Sequence, residues 1–152
     1  MEGYVVSISD GDTLTLLVGR EQRRIRIAGI DAPEHFQPYG NRSRTNLSRY
    51  AYSQDAKADC YKKDSYGRDV CTVWVTPFNC PGCGKTLDVG LAQVSEGMAW
   101  WDRNHAGEQS DADRGRYEGA ETGAKLRRLG LWRDTKPVPP WIWRHKLAPG
   151  ND

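Results

Sequence analysis

Three short β-rich runs fill the first 27 residues with turns of only two or three residues between them, and this spacing constrains the fold more than any other feature of the chain. Tyr4-Val5-Val6-Ser7-Ile8 breaks at Asp10-Gly11-Asp12, Thr13 to Val18 follows with partial alternation, and Gly19-Arg20 turns the chain into Glu21 to Ile27. Aspartate and glycine favour such turns because one bonds its own backbone locally and the other adopts positive φ without strain. Strands joined so tightly pair with their sequence neighbours, giving a meander that can begin a barrel or a sandwich. Side chains alternate along a strand, so Arg24 and Arg26 share one face of the third run and Arg23, Ile25 and Ile27 the other.

The remainder mixes helices with one hairpin. Leu47, Tyr50 and Ala51 have helical spacing within 41–52. Ala56 to Tyr61 and Asp69 to Val75 flank Asp64-Ser65-Tyr66-Gly67, which reads as a hairpin turn. Val89 to Gly97 reads as a short helix stopped by Gly97, although Gly90 stands where a polar residue is expected to open it. Ser110 to Leu129 is the clearest helix, with Ser110 as its cap, acids at its start, bases at its end and Gly130 to stop it. Pro137-Val138-Pro139-Pro140-Trp141 excludes a regular helix or central strand from the tail. Trp141 and Trp143 there suit a strap across the barrel surface or a partner contact. The pattern is an α+β domain over residues 1–133 with a Pro/Trp-rich tail over 134–152 packed on or near it.

A chain of 152 residues is long enough to bury roughly 68–70% of its extended surface as one domain. No apolar run reaches the 18 or more residues of a membrane span. Its 22 basic and 20 acidic residues leave a net charge of +2, so a nucleic-acid partner would need a basic site assembled by folding. Cys60 and Cys71 lie about equally far from the hairpin turn and could face each other, while Cys80-Pro81-Gly82-Cys83 could bridge locally. Two disulfides are the leading reading; free thiols and a structural zinc knuckle are the rivals, the latter lacking a second knuckle. Disulfides imply an oxidising compartment, secreted or periplasmic, reached by way of a leader not present in this chain. His35, His105 and His145 have no metal-ligand spacing and read as solvated.

Three segments carry candidate chemistry. Asp10-Gly11-Asp12-Thr13 puts two carboxylates on a bent backbone, where oxygen donors suit a hard cation; alone it is equally an ordinary turn. Arg26 to Glu34 runs from a strand through an apolar stretch into Asp31-Ala32-Pro33-Glu34, two acids held apart by a rigid proline, or else a surface loop with incidental charge. Asp64 to Arg68 places an arginine beside a turn, where its fork could clamp a phosphate. Phosphodiester hydrolysis requires fixed cations where charge develops, a metal, and a carboxylate for water.

In order and spacing, Asp10-Gly11-Asp12-Thr13, Arg26 through Glu34 and Tyr66-Gly67-Arg68 resemble the three motifs of the staphylococcal nuclease-like (thermonuclease) family. Gly97-Met98-Ala99 and Gly130-Leu131-Trp132 extend the resemblance over roughly residues 3–133. It implies an OB-fold, a five-stranded β-barrel with about three helices, and cleavage of DNA and RNA dependent on one Ca²⁺ and leaving 3′-phosphates. Asp12 and Asp31 would be carboxylate ligands, with the Ala32 carbonyl as a third and Asp10 as an acid near the metal. Glu34 would activate or orient water, Arg26 and Arg68 would hold the phosphate and its transition state, and Tyr66 would line the substrate pocket. Trp100-Trp101 stand where the family's best-known member has tyrosines; either could stack on a base or pack in the barrel rim. The reading is a monomeric nuclease acting on DNA and RNA without a membrane. Its rivals are a silent OB-fold binding module, which should have lost some of the five core residues, and a zinc-stapled structural protein.

Overall fold

The computed structural model describes residues 1–147. Strands β1 (Glu2–Asp10), β2 (Thr13–Val18) and β3 (Glu21–Ile27) form the expected antiparallel meander. After β4 (Ile30–Asp31) and helix α1 (Gly40–Ala51), β5 (Asp55–Lys63) pairs with the start of β1, and β6 (Asp69–Val75) pairs antiparallel with β5. A parallel pairing of Ile25, Arg26 and Ile27 with Asp69, Val70 and Cys71 joins β3 to β6. That last pairing closes a five-stranded barrel with no open edge between β3 and β6, the OB-fold.

The alternation of the strands fills the interior. Val5, Leu14, Leu16, Ile25, Ile27, Val73 and Val75 point inward, each at most 1% exposed. Leu47 and Ala51 of α1 and Val94 of α2 (Val89–Ser95), which follows β7 (Leu87–Asp88), extend the same core. At about 25 cal/mol per Å² of apolar surface, burying one such aliphatic side chain contributes about 1.5–3 kcal/mol, so the core and not the turns holds the barrel shut.

The expected helices differ from the observed ones at their ends, for local reasons. Helix α2 is opened by Asp88, whose Oδ1 accepts from the N–H groups of Gly90 (3.0 Å) and Leu91 (3.2 Å). The polar residue anticipated at Gly90 therefore sits two positions earlier. A Cβ at Gly90 would press on Ile27 and the Tyr117 hydroxyl, both 3.0 Å away. Beyond β8 (Trp100–Trp101), α3 (Asp111–Leu126) is capped by Ser110, whose Oγ accepts from Asp113 N–H at 3.1 Å, and it ends before the anticipated Leu129. Arg128 and Gly130 then take positive φ (52° and 53°) and turn the chain back. There Leu131 N–H donates to Gly97 O at 2.9 Å, and a Cβ on Gly97 would lie 2.1 Å from Leu129 O. Two glycine segments far apart in sequence thus meet backbone to backbone.

One expectation fails. The tail is not barred from helix: α4 (Pro140–Leu147) is helical. Pro140 occupies its first position, where the missing N–H would have found no partner in any case, and the ring presets a helical φ. Cys60 is bonded to Cys71, their Cα atoms 4.0 Å apart in directly opposed register, and Cys80 is bonded to Cys83. The sulfurs that free thiols or a zinc knuckle would require are thereby used. No helix among the described residues is long and apolar enough to cross a membrane.

Candidate active site

The turn from β1 into β2 carries Asp10 and Asp12, and its shape is dictated from behind. A Cβ on Gly11 would fall 1.8 Å from Ser43 Oγ and 2.8 Å from the Ala32 methyl, so only glycine fits against α1. Gln93, fully buried in α2, donates through Nε2 to Gly11 O and to Ser43 O, both at 2.9 Å, and accepts from Asn46 Nδ2 at 2.7 Å. The turn is therefore clamped by two helices. Asp12 then projects a carboxylate that accepts from Ala32 N–H (2.7 Å) and from the Thr13 hydroxyl (3.0 Å). Asp10 Oδ1 accepts from Asp12 N–H at 3.1 Å.

Arg26, near the end of β3, lies between two acids. Its Nη1 is 3.3 Å from Asp12 Oδ2 and its Nη2 is 3.5 Å from Asp31 Oδ1. Asp31 is placed by β4, whose pairing sets it opposite Trp100 of β8. Pro33 leads to Glu34, where Gln37 secures the turn by accepting Glu34 N–H at 3.0 Å. Glu34's side chain stays 35% exposed, which leaves it reachable by water. Across the barrel mouth the β5–β6 hairpin presents Arg68. Asp64 holds that arginine, accepting from its backbone N–H (3.0 Å) and its Nε (2.6 Å), while Nη1 reaches Thr13 Oγ1 at 3.3 Å. One hydroxyl, donating to Asp12 and accepting from Arg68, links the metal-type turn to the hairpin.

The electrostatics follow from burial with little solvent to share. Burial and the neighbouring Asp12 charge push the Asp10 carboxyl up to about 7. Burial would raise Asp12 as well, but Arg26 and the donors from Ala32 and Thr13 outweigh it and hold Asp12 below the ordinary carboxylate value. Burial raises Asp31 despite the arginines beside it. Arg26 is moved the other way: burial opposes its charge, and Asp12 and Asp31 more than restore it. Asp10, Asp12 and Asp31 thus converge on the half-buried Arg26, and a cation beside them would favour their charged forms.

Among the described residues, no three histidine, cysteine or acidic side chains stand ready as a cage for a metal ion. Two buried carboxylates, Asp12 and Asp31, flank one guanidinium and lie beside the Ala32 backbone. With waters, that oxygen set suits a hard cation better than a soft one. The residues present fit a hard divalent cation.

The aromatic candidates separate. Tyr66 is 79% exposed, with Arg68 stacked 5.4 Å from its ring centre, at the edge of a cleft of about 200 Å³ that Arg26 and Arg68 also line. Trp101 is buried, its indole N–H bonded to Gln109 at 2.9 Å and Arg103 lying over its ring. Trp100 is half-buried, edge-on to both Trp132 and Trp141. His35 and His105 are exposed, and His105 is more than solvated, since its Nδ1 lies 2.7 Å from Asp102. His145 is exposed on α4.

Three contributors were invisible in the pattern. Thr13 stood in the first motif and at the start of a strand with no role of its own, and nothing in the sequence singles out Gln93 or Arg144. Arg144 donates from Nη1 to Asp31 Oδ1 (3.1 Å) and Glu34 Oε1 (2.6 Å), and from Nη2 to Asp31 Oδ2 (2.8 Å). A partner 113 positions away leaves no periodic signal.

A model of the staphylococcal nuclease homologues matches residues 24–134, a span that holds Arg26, Asp31, Glu34 and Arg68. The chain is 40% identical over 144 residues to a micrococcal nuclease of Shigella flexneri, covering 93% of this chain and 79% of that protein. It is 38% identical over 146 residues to Protein ParB of Escherichia coli, covering 96% and 80% respectively. An uncharacterized endonuclease of Haemophilus influenzae is 34% identical over 143 residues, covering 93% of this chain and 72% of its own length.

Proposed function

This chain belongs to the staphylococcal nuclease family, and on that premise we propose that it is a calcium-dependent nuclease cleaving DNA and RNA with little sequence preference and leaving 3′-phosphates. The observation that carries the reading is the position of Arg26 between Asp12 and Asp31, with Arg68 joined to the same turn through Thr13.

Asp12, Asp31 and the Ala32 carbonyl would hold one Ca²⁺, with Asp10 beside them. When bound, the ion neutralises phosphate oxygens and orients the attacking water. Arg26 and Arg68 approach the scissile phosphate from two walls of the barrel mouth, so their charge is already in place as the phosphorus gains negative charge. Glu34, exposed enough to meet water, accepts its proton at a carboxylate oxygen as the new P–O bond forms. The P–O5′ bond breaks, the 5′ oxygen takes a proton from solvent, and phosphate remains on the 3′ side. Tyr66 supplies the exposed ring for a base, a contact of about 1–3 kcal/mol by stacking. Trp100 would meet substrate only at its open edge, and Trp101 supports β4 from within. The protein acts as a monomer, and its two disulfides support a secreted or periplasmic setting.

The test is digestion of single- and double-stranded DNA and RNA with Ca²⁺, with Mg²⁺ and with chelator, alongside Glu34→Ala and Arg68→Ala. Cleavage should require Ca²⁺ and fall by roughly 10²-fold or more in either variant. Undiminished cleavage in both variants refutes the mechanism; full cleavage in chelator refutes the metal.

A further inference from the structure

The cation that touches the proposed metal acids belongs to the chain itself. Arg144 lies on α4, beyond the span matched by the family model, and makes a two-pronged bond to Asp31 together with a 2.6 Å bond to Glu34. Asp31 is 5% exposed, so little room remains on its carboxylate for a second cation. An Asp31 that accepts from a guanidinium at both oxygens has fewer lone pairs and less negative charge left for a divalent ion. Glu34 shares one oxygen, Oε1, with the same guanidinium, which stabilises its charged form and makes it a weaker acceptor of a water proton.

The approach of α4 is built, not incidental. Val138 O accepts from the Gln37 side chain, the same residue that fixes the turn carrying Glu34. Trp141 packs edge-on against Trp100 at 5.4 Å, and Trp100 is the strand partner of Asp31. Trp143 closes a small cavity of about 60 Å³ with Pro33, Tyr39 and Pro137. The strap is therefore anchored on the residues that position the two acids, which aims Arg144 at them.

We infer that α4 is an autoinhibitory strap whose Arg144 competes with the divalent cation for Asp31 and ties up one oxygen of Glu34, so that metal binding displaces Arg144 and loosens the helix before substrate is cut. The inference rests on the metal reading given above. Arg144 keeps 47% of its side chain exposed, so the contact is of a strength that a doubly charged ion can displace. A chain so built is quiet at low divalent-ion concentration and turns on across a threshold set by its own arginine.

Calcium titration calorimetry on the full chain, Arg144→Gln and Arg144→Glu tests this, with hydrogen exchange of residues 140–147 measured with and without calcium. Arg144→Gln should bind Ca²⁺ roughly three- to tenfold more tightly, Arg144→Glu at least as tightly, and calcium should lower the protection of α4 in the unaltered chain. Equal or weaker calcium binding by Arg144→Gln, with α4 protection unmoved by calcium, overturns the strap and leaves the metal reading standing. Absence of calcium binding in all three proteins overturns the metal reading and the strap with it. Because Arg144 lies at the surface, its substitution leaves the core intact, and unchanged circular dichroism verifies this.

Discussion

Gln93→Met tests whether the catalytic turn is held from behind. Methionine conserves volume, so the cavity penalty is small, and the change isolates the loss of four polar contacts, to Gly11 O, Ser43 O, Ser43 Oγ and the Asn46 amide. Ser43 O belongs to α1, whose ladder still serves that carbonyl. Gly11 O and the Asn46 amide lose their partners inside the protein. Each orphaned buried group costs about 1–3 kcal/mol, giving about 2–6 kcal/mol in total. Against a typical domain stability of about 5–15 kcal/mol, the variant still folds but with a large fraction of its margin removed. Guanidinium unfolding followed by tryptophan fluorescence should show a lower midpoint with an unchanged slope. Calcium affinity should fall alongside, because Gly11 is the residue between Asp10 and Asp12. Gln93→Glu should do more damage at neutral pH, since it aims a carboxylate at two carbonyl oxygens in place of a donor. A midpoint shift equivalent to less than about 0.5 kcal/mol for Gln93→Met, the size of an ordinary surface substitution, would refute the clamp.

Gly11→Ala should destabilise by about 1–3 kcal/mol through overpacking against Ser43, and Ser43→Gly in the same chain should recover part of it by thermal denaturation. Replacing Cys60 and Cys71 by serine should cost about 2–3 kcal/mol, because the bridge closes a loop of sequence separation 11, and reductant should reproduce the loss in the unaltered chain. Asp69 experiences burial that raises its pKa, but Lys63 and Arg23 outweigh it and hold the carboxyl below 3.8. A folded-state value below the unfolded one means that its contribution is present above pH 3.8 and is lost as pH falls through the depressed value. Acid unfolding of Asp69→Asn should therefore show a shallower loss of stability than the parent between roughly pH 5 and pH 1, and an identical slope refutes the assignment.

What the sequence made legible was what repeats along a strand or punctuates it. β6 could be read at its full length, Asp69–Val75, because a β-branched run is bounded by a Gly67 turn on one side and Thr76-Pro77 on the other. The meander of β1 to β3 was readable for the same reason, and the order of the charged motifs pointed to one site. The closing pair between β3 and β6 was not, since parallel pairing between distant strands leaves no local mark. Nor was α4: a cluster of prolines reads as a breaker until one of them proves to be the first residue of a helix. Gln93, Thr13 and Arg144 escaped because their roles are bonds to groups brought near only by folding. Glycine at 11 looked like turn chemistry, whereas its φ is ordinary and the constraint is the bulk of Ser43 and Ala32 behind it.

The pairing of Asp31 with Trp100 has an optical consequence. An indole sits one strand from the acid proposed to hold the metal, with Trp132 and Trp141 at ring-centre distances of 4.4 and 5.4 Å. Transition dipoles that close couple to one another, so these three rings should absorb circularly polarised light as a set and produce an exciton signal in the ultraviolet. Trp141 is the member carried by α4, and lifting that helix removes one oscillator from the set. The protein thus contains a label-free gauge of whether its own catalytic mouth is covered.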